Sequence, residues 1–242
     1  MPSLFVANWK MNGNLETLAE WAEGFSPPPN CKTVLCPPLP YLIAARRLLS
    51  SQISVGAQCV SHHPKDGAHT GEVAARMLRE VGCDYVIVGH SERRAAGETD
   101  ECCAAQLSAA AAAGLSPILC VGENEKEYDE GKANEVIARQ LRALEAFSTS
   151  FPPACAVAYE PVWAIGTGKT PSVDELTRAG DEIRLQISQI DGVKGKISVL
   201  YGGSITPDNA SLLANAGMDG GLVGGASLDA AKFLHICRVG GV

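Results

Sequence analysis

Eight short apolar runs recur along the 242 residues, at 4–8, 33–36, 53–58, 85–89, 117–121, 156–160, 197–201 and 221–224. Runs that stay apolar at consecutive positions suit strands covered on both faces, as in a parallel sheet wrapped by helices. The stretches between them carry helical period instead. Val173, Leu176, Gly180, Ile183, Ile187 and Ile190 follow a 3-4-3-4-3 spacing that lays one apolar stripe down a helix. Thr99, followed by Asp100 and Glu101, reads as the cap and acidic first turn of another helix. That helix runs into the alanines at 109–113 and stops at Gly114.

Repeated βα units fold either as an open doubly wound sheet or as a closed barrel. Eight units in 242 residues match the usual barrel length of about 250. No G-x-G-x-x-G follows the first run, which weakens the dinucleotide-binding alternative. No Pro/Ser-rich linker or block of charge separates two halves. The expectation is an α/β protein, a single-domain (β/α)8 barrel over residues 1–242.

Composition narrows the function. Hydrophobic residues at 46% and charged residues at 19% exclude a disordered chain. No window supplies the roughly 18 consecutive apolar residues of a membrane span. Twenty Lys and Arg against 27 Asp and Glu leave a net charge of −7, which argues against nucleic acid as a partner. A small anion is still admissible, because the field of a site can oppose the net charge. The nine cysteines are odd in number and contain no C-x-x-C, so neither zinc-site spacing nor a disulfide framework is indicated. Reduced thiols packed as small hydrophobes are expected. Met1-Pro2-Ser3 leads straight into Leu4-Phe5-Val6-Ala7 with no charged n-region, so the expected location is cytoplasmic.

Function in such a barrel sits at the C-terminal ends of the strands. The first run ends Asn8-Trp9-Lys10, where alternation along an extended chain would turn the amide and the ammonium to one side. The fourth ends Gly89-His90-Ser91-Glu92, and a short helix beginning at Ser91 would aim its N-terminus at the imidazole and keep His90 neutral. The sixth closes with Glu160, and a largely desolvated carboxylate there is a stronger base near neutrality. Residues 161–171 follow, with a rigid start, an apolar body and a two-glycine tip, the composition of a lid. Gly202-Gly203-Ser204 and Gly224-Gly225-Ala226-Ser227 then place glycine turns after the seventh and eighth runs, where phosphate sites of this fold commonly lie.

Asn8-Trp9-Lys10-Met11-Asn12-Gly13, Gly89-His90-Ser91-Glu92-Arg93-Arg94, the stretch from Ala158 to Gly168, Tyr201-Gly202-Gly203-Ser204 and Gly224-Gly225-Ala226-Ser227-Leu228 closely resemble the triosephosphate isomerase family. They occur in the family's order and span essentially the whole chain. The resemblance implies interconversion of dihydroxyacetone phosphate and D-glyceraldehyde 3-phosphate, with no cofactor and no metal. It implies Glu160 as base, neutral His90 as electrophile and Lys10 as fixed positive charge, with Asn8 as a further donor. Amides at Gly166, Ser204, Gly224 and Gly225 would hold the phosphate, and Ser91 and Glu92 would support the catalytic groups. It also implies a homodimer through the loop after the third strand, in which Thr70 would take part. That loop departs from the family pattern at His69, where Tyr or Phe is usual, and at Cys59, where Asn or Asp is common.

Two other readings stay open on sequence alone. A metal-dependent phosphosugar barrel would need ligands at the strand ends, and no His/Asp constellation serves. A phospho-ligand-binding barrel without catalysis would need neither Glu160 nor a lid.

Overall fold

The computed structural model describes residues 2–148, 150–165 and 170–241. Strands β1 (Ser3–Asn8), β2 (Cys31–Cys36), β3 (Ile53–Ala57), β4 (Tyr85–Val88), β5 (Ser116–Val121), β6 (Ala156–Tyr159), β7 (Ser198–Tyr201) and β8 (Gly220–Val223) pair in parallel, each with the next. β8 returns to β1 with Leu4 opposite Gly220, which closes the barrel.

The consecutive apolar positions divide between two faces. Leu4, Val6, Val34, Cys36, Tyr85, Ile87, Ile118, Cys120 and Leu200 fill the barrel interior. Phe5, Ala7, Leu35, Val86, Val88, Leu119, Val157 and Val199 face the helices in a second layer. Both faces are largely dry, so apolar residues take most positions of the two-residue repeat and the few buried polar ones, such as Thr33 and Ser116, are small.

The helices are α1 (Leu15–Gly24), α2 (Leu42–Leu48), α3 (Ala75–Glu80), α4 (Ser91–Ala95), α5 (Asp100–Ala112), α6 (Glu125–Asp129), α7 (Ala133–Leu141), α8 (Val173–Ser188), α9 (Ser211–Asn215) and α10 (Ala230–Gly240). α5 begins at the Thr99 cap, whose side chain accepts from the Cys102 N–H. α8 buries Leu176, Gly180, Ile183 and Ile187, the stripe seen in the sequence, while Ile190 lies past its end and packs on the same layer. No described helix is long and apolar enough to cross a membrane.

The boundaries correct the sequence reading in a consistent direction. The runs expected to end at Gln58, Gly89, Glu160 and Gly224 leave the ladder one residue earlier. The last residue of each of these four runs already belongs to the loop that follows the strand. At Gly89 the cause is explicit: φ is +67°, and an added Cβ would fall 2.8 Å from Cys103 Sγ and 2.9 Å from Arg94 Nη2.

Candidate active site

The mouth holds a cavity of about 260 Å³ lined by Asn8, Lys10, His90, Ile165, the turn 202–206 and the turn 224–226. That is smaller than the ~300–1,000 Å³ typical of drug-sized ligands, and it suits a small polar molecule.

Asn8 and Lys10 both reach it, but not by extended alternation. β1 stops at Asn8 and Lys10 takes a left-handed conformation, with φ at +51°. Local bonds fix this uncommon geometry. The Lys10 N–H donates to Asn8 Oδ1 at 3.1 Å, and Gln58 Nε2 donates to Lys10 O at 2.8 Å and to Cys36 O at 2.9 Å. Lys10 Nζ pairs with Glu92 Oε1 at 2.7 Å, so Glu92 aims the ammonium.

His90 is the residue that caps α4. Its Nδ1 accepts the Glu92 N–H at 3.2 Å, which assigns the ring proton to Nε2. The ring N–H at Nε2 therefore faces the mouth. Nε2 lies 3.0 Å from Glu160 Oε1. The approach is off the N–H axis, and Oε1 has no aligned hydrogen-bond donor. Glu160 Oε2 accepts the Ser91 N–H at 2.8 Å. The carboxylate is buried, held by one oxygen and free at the other.

Glu160 does not line the small cavity. It faces an adjoining cleft of about 530 Å³ shared with Ser91, Arg94 and Gly122. Beneath it, burial pushes the Cys120 thiol well above its ordinary range, and the Glu160 charge adds to this. Arg94 stitches β4 to β5 behind the pair, donating to Gly89 O at 2.8 Å, Cys120 O at 3.3 Å and Asp100 Oδ1 at 2.6 Å.

Ser204, Gly224 and Gly225 line the cavity opposite His90. A Cβ on Gly225 would meet no atom within 4 Å, and one on Gly224 would only touch Lys10 Cε at 3.5 Å. Protein packing therefore does not require glycine at either position; the room they leave belongs to the cavity. Gly166 and the lid tip at 166–169 lie outside the described residues. Thr70 stands in the exposed stretch 64–72 and is not brought to this chain's cavity.

Sequence reasoning passed over Gln58, Arg94 and a second buried carboxylate, Glu123. Glu123 Oε1 accepts from Tyr159 OH at 3.0 Å and from Trp163 Nε1 at 2.8 Å, and burial raises its carboxyl above the ordinary range. Gln58 is a polar residue closing an apolar strand, the signal that singled out Glu160, whereas Glu123 stands two residues beyond the end of β5. Among the described residues, no group of three or more His, Cys, Asp and Glu could hold a metal ion.

A closed parallel barrel with a buried carboxylate, an imidazole N–H and an ammonium at its mouth defines a proton-transferring enzyme of the (β/α)8 class. The profile of the family described as triosephosphate isomerase matches residues 3–240. The chain is 48% identical over 240 residues to a triosephosphate isomerase of Alcanivorax borkumensis and 48% over 244 residues to one of Dechloromonas aromatica. It is 47% identical over 241 residues to one of Thiobacillus denitrificans. Each comparison covers 97% of both chains. The chain belongs to the triosephosphate isomerase family, whose fold is the TIM barrel.

Proposed function

We propose that this chain interconverts dihydroxyacetone phosphate and D-glyceraldehyde 3-phosphate through an enediolate, with Glu160 moving the carbon-bound proton. The observation that carries the reading is the shared contact of Glu160 with His90 and Ser91. In the present arrangement the carboxylate crowds the imidazole, with Oε1 3.0 Å from Nε2 but off the N–H axis, in the space a substrate carbonyl needs. Rotation away from Ser91 would do two things at once. It would bring Oε1 to the cavity as a base, and it would free the His90 N–H for the carbonyl oxygen.

The substrate phosphate would sit against the amides of Ser204, Gly224 and Gly225, with Gly166 closing from the lid. Asn8 Oδ1 is engaged by the Lys10 backbone, so the Asn8 NH2 is its remaining donor toward the substrate. Lys10 would neutralise charge developing between carbonyl and phosphate, exchanging part of its pairing with Glu92 for the ligand. The lid would exclude water from the intermediate. A carboxylate base, a neutral imidazole and an ammonium supply the acid, base and charge the reaction asks for, so no cofactor is invoked.

The working unit in this proposal is a homodimer of one-domain chains in the cytoplasm, joined through the loop after β3. Its support is the exposed stretch 64–72, which includes Thr70, together with Met11, which is 95% exposed one residue beyond Lys10. An apolar side chain so placed calls for a cover. His69 stacks on His63 at 3.4 Å between ring centres, which gives the loop a packed base in place of the family's usual aromatic.

A coupled assay with glyceraldehyde 3-phosphate in the presence of a chelator tests the reading. Turnover that survives chelation and is lost in Glu160→Gln is expected. Turnover that needs metal, or that persists in Glu160→Gln, would refute it.

A further inference from the structure

Gln140 is a buried amide on the inward face of α7, which it shares with the apolar Val136, Ile137 and Leu141. A polar side chain in such a layer is costly unless it is hydrogen-bonded. Gln140 directs both ends of its amide to one residue, Gly122, which follows the last residue of β5. Its Oε1 accepts the Gly122 N–H at 2.7 Å, and its Nε2 donates to Gly122 O at 3.2 Å.

The peptide gripped in this way is the one that holds the base. The Gly122 N–H and the Val121 carbonyl belong to the same peptide group, and that carbonyl accepts the Glu160 N–H at 2.7 Å. Gln140, the 121–122 peptide and the Glu160 backbone thus stand in series, and hydrogen bonds in such a chain polarise one another. Sterics act at the same point. A Cβ on Gly122 would collide with Glu160 O and lie 2.6 Å from Glu160 C, so only a bare Cα lets the two backbones approach this closely. Gly122, Gln140 and Glu160 line one cleft. The Glu160 carboxylate, in contrast, has a single firm bond, from the Ser91 N–H. A loosely held head group is carried on a tightly held backbone.

We propose that Gln140 is a positioning residue for the isomerisation. From the outer helix layer it fixes the backbone of Glu160, so that rotation of the side chain alone delivers the carboxylate to the substrate carbon. The proposal rests on the reading of Glu160 as the base. Gln140 does not line the cavity that holds Asn8, Lys10 and His90, so its influence reaches the reaction through Glu160. A displacement of about 1 Å at a reacting group can cost ~10²-fold in rate.

The test is steady-state kinetics on two variants. Gln140→Met keeps the length of the side chain and loses both bonds, while Gln140→Asn keeps the amide but withdraws it by about 1.5 Å, one bond length. Both are assayed below their melting temperatures, with the folded fraction read by circular dichroism. kcat should fall by about 10–10²-fold in Gln140→Met and by about 3–10-fold in Gln140→Asn. KM and the affinity for inorganic phosphate should stay within about twofold of wild type. A double variant shows whether the loss runs through the base. Added to Glu160→Gln, Gln140→Met should lower hydrogen exchange at the substrate carbon by less than about twofold. Wild-type kcat in either folded variant, a loss confined to KM, or a full further loss in the double variant would overturn the proposal. Gln140→Asn decides where Gln140→Met does not fold. Undiminished turnover in Glu160→Gln alone would remove the base assignment and the proposal with it, whereas wild-type turnover in the Gln140 variants beside an inactive Glu160→Gln would overturn the proposal alone.

Discussion

Glu123 and Glu160 follow adjacent strands, β5 and β6, and neither touches solvent appreciably, yet their surroundings differ in kind. One oxygen of Glu123 takes two side-chain donors, Tyr159 and Trp163, and its backbone carbonyl takes the Val162 N–H at 3.0 Å. It is pinned on three sides and pins the start of the lid segment in return. Glu160 is fixed at its backbone by the bond from its N–H to Val121 O at 2.7 Å, but its carboxylate has one firm bond, from the Ser91 N–H, and one misaligned neighbour that is itself a reactive group. Burial alone therefore does not mark a catalytic carboxylate. What separates the two is how many partners must be released before the group can move.

The largest expected effect comes from the loosely held acid. Glu160→Gln keeps the shape and the Ser91 contact and should lower kcat by about 10²–10⁴-fold, with an unchanged melting temperature. Assay and thermal scan on one preparation would show this. A large fall in Tm would move Glu160 into the structural class with Glu123.

His90→Asn removes the imidazole N–H and should lower kcat by about 10²–10³-fold with a smaller change in KM. Steady-state kinetics separates the two parameters. An effect on KM alone would make His90 a binding residue.

Two glycines carry the comparison into binding and folding. Gly225→Ala meets no protein atom, so it should leave stability intact and raise KM about tenfold by crowding a phosphate amide. Gly89→Ala meets Cys103 and Arg94 at a positive φ and should cost about 1–3 kcal/mol of stability, read by urea unfolding. Reversed outcomes would mean that the turn after β8 does not hold the ligand.

The smallest effect is expected at Glu123. Its carboxyl is raised above the ordinary 4.5 by burial, so the folded state binds its proton more tightly than the unfolded state does. Stability from this group is fully present below that ordinary value and declines as pH rises through the raised one. Glu123→Gln cannot titrate. Its Tm relative to wild type should therefore climb as pH rises above the ordinary 4.5. A difference that is flat with pH would contradict the assigned shift.

The barrel was legible because its runs are apolar on both faces, and eight of them at this length leave one closed topology. The ends of the runs were less legible. Gln58, Gly89, Glu160 and Gly224 continue the pattern of their strands, but the chain has already left the ladder there. Lys10 reaches the cavity for a reason its sequence did not disclose, a left-handed residue held by Asn8 and Gln58. Glu123 was hidden by its neighbours, since Gly122 and Asn124 make it read as an ordinary loop acid. Its partners, Tyr159 at the end of β6 and Trp163 in the turn that follows, are distant in sequence and become visible only in three dimensions.

The central claim is that Glu160 carries the proton between substrate carbons, and hydrogen exchange at carbon tests it most directly. Dihydroxyacetone phosphate in deuterated water should take up deuterium at carbon in the presence of wild-type protein. Glu160→Gln should bind inorganic phosphate as tightly as wild type while exchange falls by about 10²-fold or more. Exchange at the wild-type rate in that variant would contradict the account.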